Sequence, residues 1–362
     1  MKIKLQITIL ALIFISMSTY SQDLHFSHFN ENPSLINPAL TGANSVFRAS
    51  AIYRDQWRSV TTPYKTYGVS VETKFKASGW KKVEGQSMTF SKAKLNRFAG
   101  GLSFYTDKAG DGNMGFTQVN LSLATFVPTG ANSNLSVGLQ ASIVQRKIDF
   151  TKLVFSNQYN GTGYDNTLQN GENVASQSFI YPDFAGGLNW NYASDDKSIA
   201  SNNEKKANLG VSFYHVNQPK QVYLAGGNAK LHLKYVLHGD FLFGIKRTNI
   251  AIAPTYLFQF QGSNMELVAG TQVKYYIKED SKYTGIIQRS SVNLGVYYRY
   301  LDAMIFSFMY DRKQQFAIGI SYDFNVSGLT KASKLQGGPE LLLRFNTANA
   351  YLYQKKAKAM MD

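Results

Sequence analysis

From Val46 to Phe345 short runs of alternating apolar and polar residues recur, broken by turns rich in Gly, Asn and Lys. In Gln314–Phe324, for example, Phe316, Ile318, Ile320, Tyr322 and Phe324 fall on one phase. Gln315, Ala317, Gly319, Ser321 and Asp323 fall on the other. Successive side chains of a strand point to opposite faces, so each such run makes a sheet that is greasy on one side and small, polar or charged on the other. A soluble sandwich buries the greasy face against a second sheet. An outer-membrane barrel turns it to lipid and lines its lumen with the polar face.

The N-terminus separates these two folds. Lys2 and Lys4 precede an apolar stretch, Leu5–Met17, and Thr19-Tyr20-Ser21 offers small residues at the positions a signal peptidase reads. Cleavage is expected between Ser21 and Gln22. The apolar stretch breaks at Ser16, Ser18 and Thr19, short of the roughly 20 residues a membrane helix needs. The chain has no cysteine, which excludes disulfide-stapled extracellular scaffolds. Aromatic residues make up 14% of the sequence, with 23 Tyr and 24 Phe, a content that suits the aromatic girdles of a membrane barrel.

The pattern therefore predicts an all-β, antiparallel transmembrane barrel of 14 strands, near 46–55, 66–75, 98–106, 116–127, 134–147, 181–192, 207–215, 231–243, 249–260, 264–277, 290–300, 303–310, 314–324 and 338–346. An even count is the rule for single-chain bacterial barrels. The organisation expected is a signal peptide (1–21), an N-terminal periplasmic or plug segment (22–45), the barrel (46–346) and a basic periplasmic tail (347–362) containing Lys355, Lys356 and Lys358. Even-to-odd connections then lie on the periplasmic side. Three of them (76–97, 194–206 and 278–289) are long for that side, through elaboration or a local miscount. The polar phase carries paired opposite charges: Glu72 with Lys74, Glu266 with Lys274, Glu340 with Arg344, and Arg299 with Asp323. On the lipid side each Lys or Arg would cost about 2–4 kcal/mol at the midplane, so these residues are assigned to the lumen.

The formal net charge is +15, of which Lys2 and Lys4 leave with the leader. The remaining lysines are scattered through loops and no nucleic-acid-binding motif accompanies them, so nucleic acid is not an expected partner. Acidic lipid headgroups or an acidic protein partner fit better. The five histidines show no ligand spacing beyond His25-x-x-His28, and there is no Gly-x-Ser-x-Gly elbow, phosphate loop or Cys nucleophile. No enzyme activity, cofactor or metal is expected.

Two segments depart from the alternation. Asn32–Gly42 contains two Asn-Pro steps; proline cannot donate to a ladder and biases its predecessor away from helix, so this is not a wall strand. Its apolar residues need burial. Phe29, Leu35, Ile36, Asn37, Pro38 and Leu40 are therefore candidates for a plug in the lumen, against the plainer reading of an ordered periplasmic loop. The first strand ends in Tyr53, Arg54, Trp57 and Arg58, with Tyr64 just beyond, and this cluster is a candidate for partner binding or for anchoring at the membrane interface.

These segments are also the ones that carry a family resemblance. INPALTGA (Ile36–Ala43), YRDQW (Tyr53–Trp57) and TPYKTYGVSVE (Thr62–Glu72) resemble the opening of the PorP/SprF family of type IX secretion proteins from Bacteroidetes. FAGGLSFYTDKAG (Phe98–Gly110), YPDFAGGLNWNY (Tyr181–Tyr192), LGVYYRYLDAM (Leu294–Met304) and FAIGISYDFNVSGL (Phe316–Leu329) extend the likeness along the chain. The resemblance implies an outer-membrane barrel of the type IX secretion and gliding-motility machinery. Its partners would be a secreted surface protein (the C-terminal domain of an adhesin that it helps to export or anchor), periplasmic secretion or motor components, and outer-membrane lipid. A channel for small solutes or hydrophobic compounds is the alternative.

Overall fold

A computed structural model describes residues 25–59, 62–75, 97–130, 132–165, 167–172, 178–194, 202–221, 223, 228–278, 289–328 and 330–347. The signal peptide, the tail with Lys355, Lys356 and Lys358, and most of the connections 76–97, 194–206 and 278–289 lie outside them. Fourteen strands follow one another: β1 Phe47–Gln56, β2 Tyr64–Phe75, β3 Phe98–Ala109, β4 Met114–Pro128, β5 Ser133–Lys147, β6 Ser178–Ala193 and β7 Lys205–Tyr214; then β8 Lys234–Gly244, β9 Ile250–Gln261, β10 Asn264–Lys278, β11 Ser290–Arg299, β12 Ala303–Arg312, β13 Phe316–Asn325 and β14 Gln336–Asn346. Each pairs antiparallel with its sequence neighbours. The ring closes where β1 meets β14, with Ser50 opposite Arg344, Ile52 opposite Leu342 and Arg54 opposite Glu340. No helix among the described residues is long and apolar enough to cross a membrane.

The alternation sets which face is which. On β13, Phe316, Ile318 and Ile320 are exposed, whereas Ala317, Ser321 and Asp323 are buried, while Gln315 falls in the preceding turn. The same phase runs round the ring: Leu102, Leu121, Leu139, Ile143 and Leu294 are each more than half exposed. The small and polar residues between them, such as Ser103, Asn120, Ser122, Ser142 and Asn293, are buried inside. Exposed leucine and isoleucine on this scale make a surface suited to hydrocarbon.

An even strand count puts both ends of the barrel on one side, which is the periplasmic side in single-chain bacterial barrels. The closed ring shows that the three long even-to-odd connections leave from that side, so their placement is no miscount. The inner-wall charges pair differently from the sequence expectation. Arg299 does meet Asp323, at 3.2 Å, but its Nε also approaches Glu266 at 3.6 Å. Lys74 lies over the Phe126 ring, Glu72 accepts from the Gly42 amide, and Arg344 binds Asp311 and Glu31. The reason is distance. Residues two apart on a strand face are separated by nearly 7 Å of rise, so neighbouring strands and inserted chain compete successfully for each charge.

Candidate functional site in the lumen and at its outer mouth

Residues 25–45 lie within the ring, bonded to wall residues of the inward phase. The two Asn-Pro steps shape them locally. Proline is pre-organised for the first position of a helical turn and suits an extended residue before it. Pro33–Ile36 forms one helical turn and Pro38–Leu40 a 3₁₀ turn, and between them Asn37 is extended (φ −160°, ψ 119°). The Asn37 carboxamide oxygen caps the second turn by accepting from the Ala39 amide at 2.9 Å.

The first limb of this segment, residues 25–31, is held by charge. Arg54 donates to the His25 carbonyl at 2.7 Å and to Asp323 at 2.6 Å. The Ser27 hydroxyl donates to the same Asp323 carboxylate. Glu340 accepts from the amides of Ser27 and His28, at 2.7 and 2.8 Å, and lies 2.9 Å from His28 Nδ1. Glu31 sits between two guanidinium groups, Arg48 at 2.7 Å and Arg344 at 2.7 Å. Burial works to raise the Glu31 pKa, but Arg344 and Arg48 together outweigh it and hold the carboxyl at about 2.

The second limb, residues 33–40, is held by shape and by neutral hydrogen bonds; just beyond it the Gly42 amide donates to the Glu72 carboxylate at 2.7 Å. Ser34 shares a hydrogen bond with the Tyr105 hydroxyl at 2.8 Å, and its carbonyl accepts from Tyr214 at 3.0 Å. Asn37 Nδ2 donates to the carbonyls of Leu188 (2.9 Å) and Val211 (3.3 Å) and lies 3.1 Å from His238 Nε2. Ser136 donates to the Ala39 carbonyl at 2.8 Å. The wall admits this close approach because it lacks side chains there. A Cβ on Gly138 would stand 2.2 Å from the Ala39 nitrogen, and one on Gly187 would stand 2.1 Å from Asn37 Oδ1.

Phe29, Ile36 and Leu40 pack with wall residues including Val236, Leu257, Val268, Tyr297 and Ile305. Phe26 joins Ile52, Tyr105, Met309 and Leu342, with half-buried Leu35 beside them. Asn37 is fully buried and Pro38 is also inside. Phe26, Ser27, Glu31 and Ser34 are not marked by any sequence pattern, and His28 stands out there only as half of the His25-x-x-His28 spacing. The signal available was the excess of buried-phase charge at Arg48, Arg54, Asp323, Glu340 and Arg344, which asks for a partner inside the ring.

At the extracellular end, Tyr53 packs on Tyr67 with ring centres 5.0 Å apart and donates to Asp55. Trp57 meets Tyr64 edge-on at 5.0 Å, in a left-handed turn (φ 58°) whose amide donates to the Gly337 carbonyl. Arg58 reaches solvent and pairs with Asp55. Arg54 differs from the expectation for this cluster. It is on the inward phase and 1% exposed, so its charge is used inside the barrel and not at a surface. Further round the ring, the outer ends of β4–β8 line a small, partly open cleft, with Leu35 on its inner side and Arg146, Tyr181, Tyr214, His215 and Lys234 around it. Among the described residues no group of three or more His, Cys, Asp or Glu is placed to hold a metal ion.

A closed fourteen-stranded ring with a greasy outside and a polar, charged inside is an outer-membrane β-barrel. The profile of the type IX secretion system membrane protein PorP/SprF matches residues 18–345, nearly the whole sequence, and the chain belongs to that family. No curated protein is significantly similar to it. Solved barrels resemble it only distantly. A Pseudomonas aeruginosa FadL homologue is 9% identical with a TM-score of 0.42, over 85% of this chain and 91% of its own. The Pseudomonas putida toluene transporter TodX is 10% identical at 0.38, over 91% and 94%. BamA from Haemophilus ducreyi, lacking POTRA domains 1–3, is 10% identical at 0.38, over 83% and 71%.

Proposed function

We propose that this barrel is a non-catalytic component of type IX secretion that binds a secreted adhesin-type protein at the cell surface, helps its export or retention, and couples to periplasmic components of the machinery. Residues 25–45 act as a plug that keeps the lumen from serving as a solute channel. The observation that supports this reading is the way the lumen is filled. The segment is bonded to wall strands on both sides of the closing seam and is packed through two apolar clusters. Trp57, Arg58 and Tyr64 at the outer mouth are residue types that dominate binding hot spots, and the basic tail with Lys355, Lys356 and Lys358 faces an acidic periplasmic partner. The test is deletion of the gene in its host with the surface proteome and solute uptake both measured. Loss or release of one or a few large surface proteins, with uptake unchanged, is expected. An unaltered surface proteome with defective uptake of one nutrient would establish the channel instead. Planar-bilayer recording of a 24–42 deletion checks the plug, with an increased conductance expected.

A further inference from the structure

We propose that the lipid-facing side of β2–β5 holds a phosphate-bearing lipid of the outer leaflet, its phosphate among Lys65, Lys108 and Lys147 and its acyl chains on the strands below. The register sets the residues of this face in rows. Lys65 on β2 stands directly opposite Lys108 on β3, Lys108 opposite Gly115 on β4, and Gly115 opposite Lys147 on β5. All three lysines are exposed, on the outward phase, at the extracellular ends of their strands. Gly115 keeps the row open between them. A Cβ there would stand 2.9 Å from the Lys147 side chain, so the Lys147 stem lies over β4 toward Lys108. Among the described residues none of the three forms an ion pair with a carboxylate. Like charges directly opposite one another destabilise a strand pair, and an anion seated between them turns that repulsion into attraction.

The rows beneath match the rest of such a lipid. One step down, about 7 Å toward the membrane centre, Tyr67, Thr106, Thr117 and Gln145 stand side by side across the same four strands. Thr106 and Thr117 share a hydrogen bond at 3.2 Å, and Gln145 donates to Ser178 at 3.1 Å, so this row offers hydroxyl and amide groups. A further step down, Val69, Phe104, Val119 and Ile143 are exposed and offer only hydrocarbon. Charge, then hydrogen-bonding groups, then hydrocarbon is the order of an anionic lipid from headgroup to chain. The stems of the lysines can lie along the strands while their ammonium groups stay at headgroup level. The opposite wall lacks the charged row. There Phe213, Tyr235, Phe260 and Tyr298 take the lipid-facing positions near the extracellular ends of β7, β8, β9 and β11. The site stands or falls independently of the function proposed above.

The test titrates the purified barrel in detergent with phosphatidic acid and measures bound lipid by native mass spectrometry, with folding checked by heat-modifiable mobility. A Lys65→Gln/Lys108→Gln/Lys147→Gln variant should bind phosphatidic acid at least about tenfold more weakly than the parent. A control that removes as many charges at the periplasmic end, Lys205→Gln/Lys246→Gln/Lys313→Gln, should bind as the parent does. Neither diacylglycerol with the same chains nor millimolar inorganic phosphate should displace the lipid. Undiminished binding by the first variant, or equal losses in both, overturns the site. Displacement by inorganic phosphate shows a free-anion site, displacement by diacylglycerol shows that the phosphate is not recognised, and either overturns the lipid. A second readout uses Lys65→Glu, which gives Lys108 a partner within the protein. Phosphatidic acid should raise the thermal midpoint of the parent and leave that of Lys65→Glu nearly unchanged, and equal rises overturn the proposal. Recovery from host membranes of an acidic polypeptide that binds the parent and is lost with the three lysines would assign the row to a protein and overturn the lipid.

Discussion

The two limbs inside this barrel are held by different physics. Residues 25–31 meet the wall through ionised groups, with Glu31 between Arg48 and Arg344 and with Glu340 and Asp323 receiving the Ser27 and His28 donors. Residues 33–40 meet it through backbone carbonyls, hydroxyls and an asparagine side chain, in a recess that depends on missing side chains at Gly138 and Gly187. A charge clamp depends on the protonation and presence of each partner. A shape fit does not, but it tolerates no added atoms. The first limb should therefore be the releasable one and the second the permanent anchor.

Glu31→Gln tests this most severely. It leaves two buried guanidinium groups without their shared carboxylate, and loss of one partner from a buried pair typically costs about 3–5 kcal/mol. Hydrogen exchange should accelerate at the Ser27 and His28 amides while Ala39 stays protected. Equal loss of protection in both limbs would show that they act as one unit. Acid should do the same reversibly. A carboxyl whose folded pKa is lowered from 4.5 to about 2 adds stability above its unfolded value and loses it as the pH falls between the two. That shift corresponds to roughly 3 kcal/mol, so exchange in 25–31 should rise from pH 5 towards pH 2 ahead of exchange in 37–40.

Gly187→Val should invert the pattern. Its side chain would displace the Asn37 carboxamide, overpacking typically costs about 1–3 kcal/mol, and protection at Ala39 should fall first. Ser34→Ala is the mildest change. It removes the hydrogen bond to Tyr105 but keeps the backbone carbonyl for Tyr214, so a loss of about 1 kcal/mol in urea unfolding is expected. A much larger loss would mean that Ser34 holds both limbs.

Most of the barrel was legible in the sequence because its signal is local. All fourteen strands, and the lipid-facing phase of β13, follow from alternation over about ten residues at a time. The two Asn-Pro steps likewise excluded 32–42 from the wall. What alternation does not carry is which charges meet. Glu340 was matched with Arg344, four residues away, yet its partners are Ser27 and His28, more than three hundred residues away in sequence and brought close only by closing the ring. Arg54 was read as an exposed end residue because it stands in the cluster YRDQW. Its phase with Ser50 and Ile52, which is also in the sequence, puts it inside.

The seam between β1 and β14 has a bearing on how the molecule is assembled. Arg48 comes from the first strand and Arg344 from the last, and Glu31 bridges them. Zipping these strands together sets the two guanidinium groups diagonally across the seam on the inner face, where Asp311 partners Arg344 and the limb's Glu31 reaches both. The limb thus finds its complete binding site only in the finished cylinder. Contacts of such long sequence separation form slowly and late. Glu31 is in that sense the last stitch, tying the order of barrel biogenesis to the presence of the chain's own beginning.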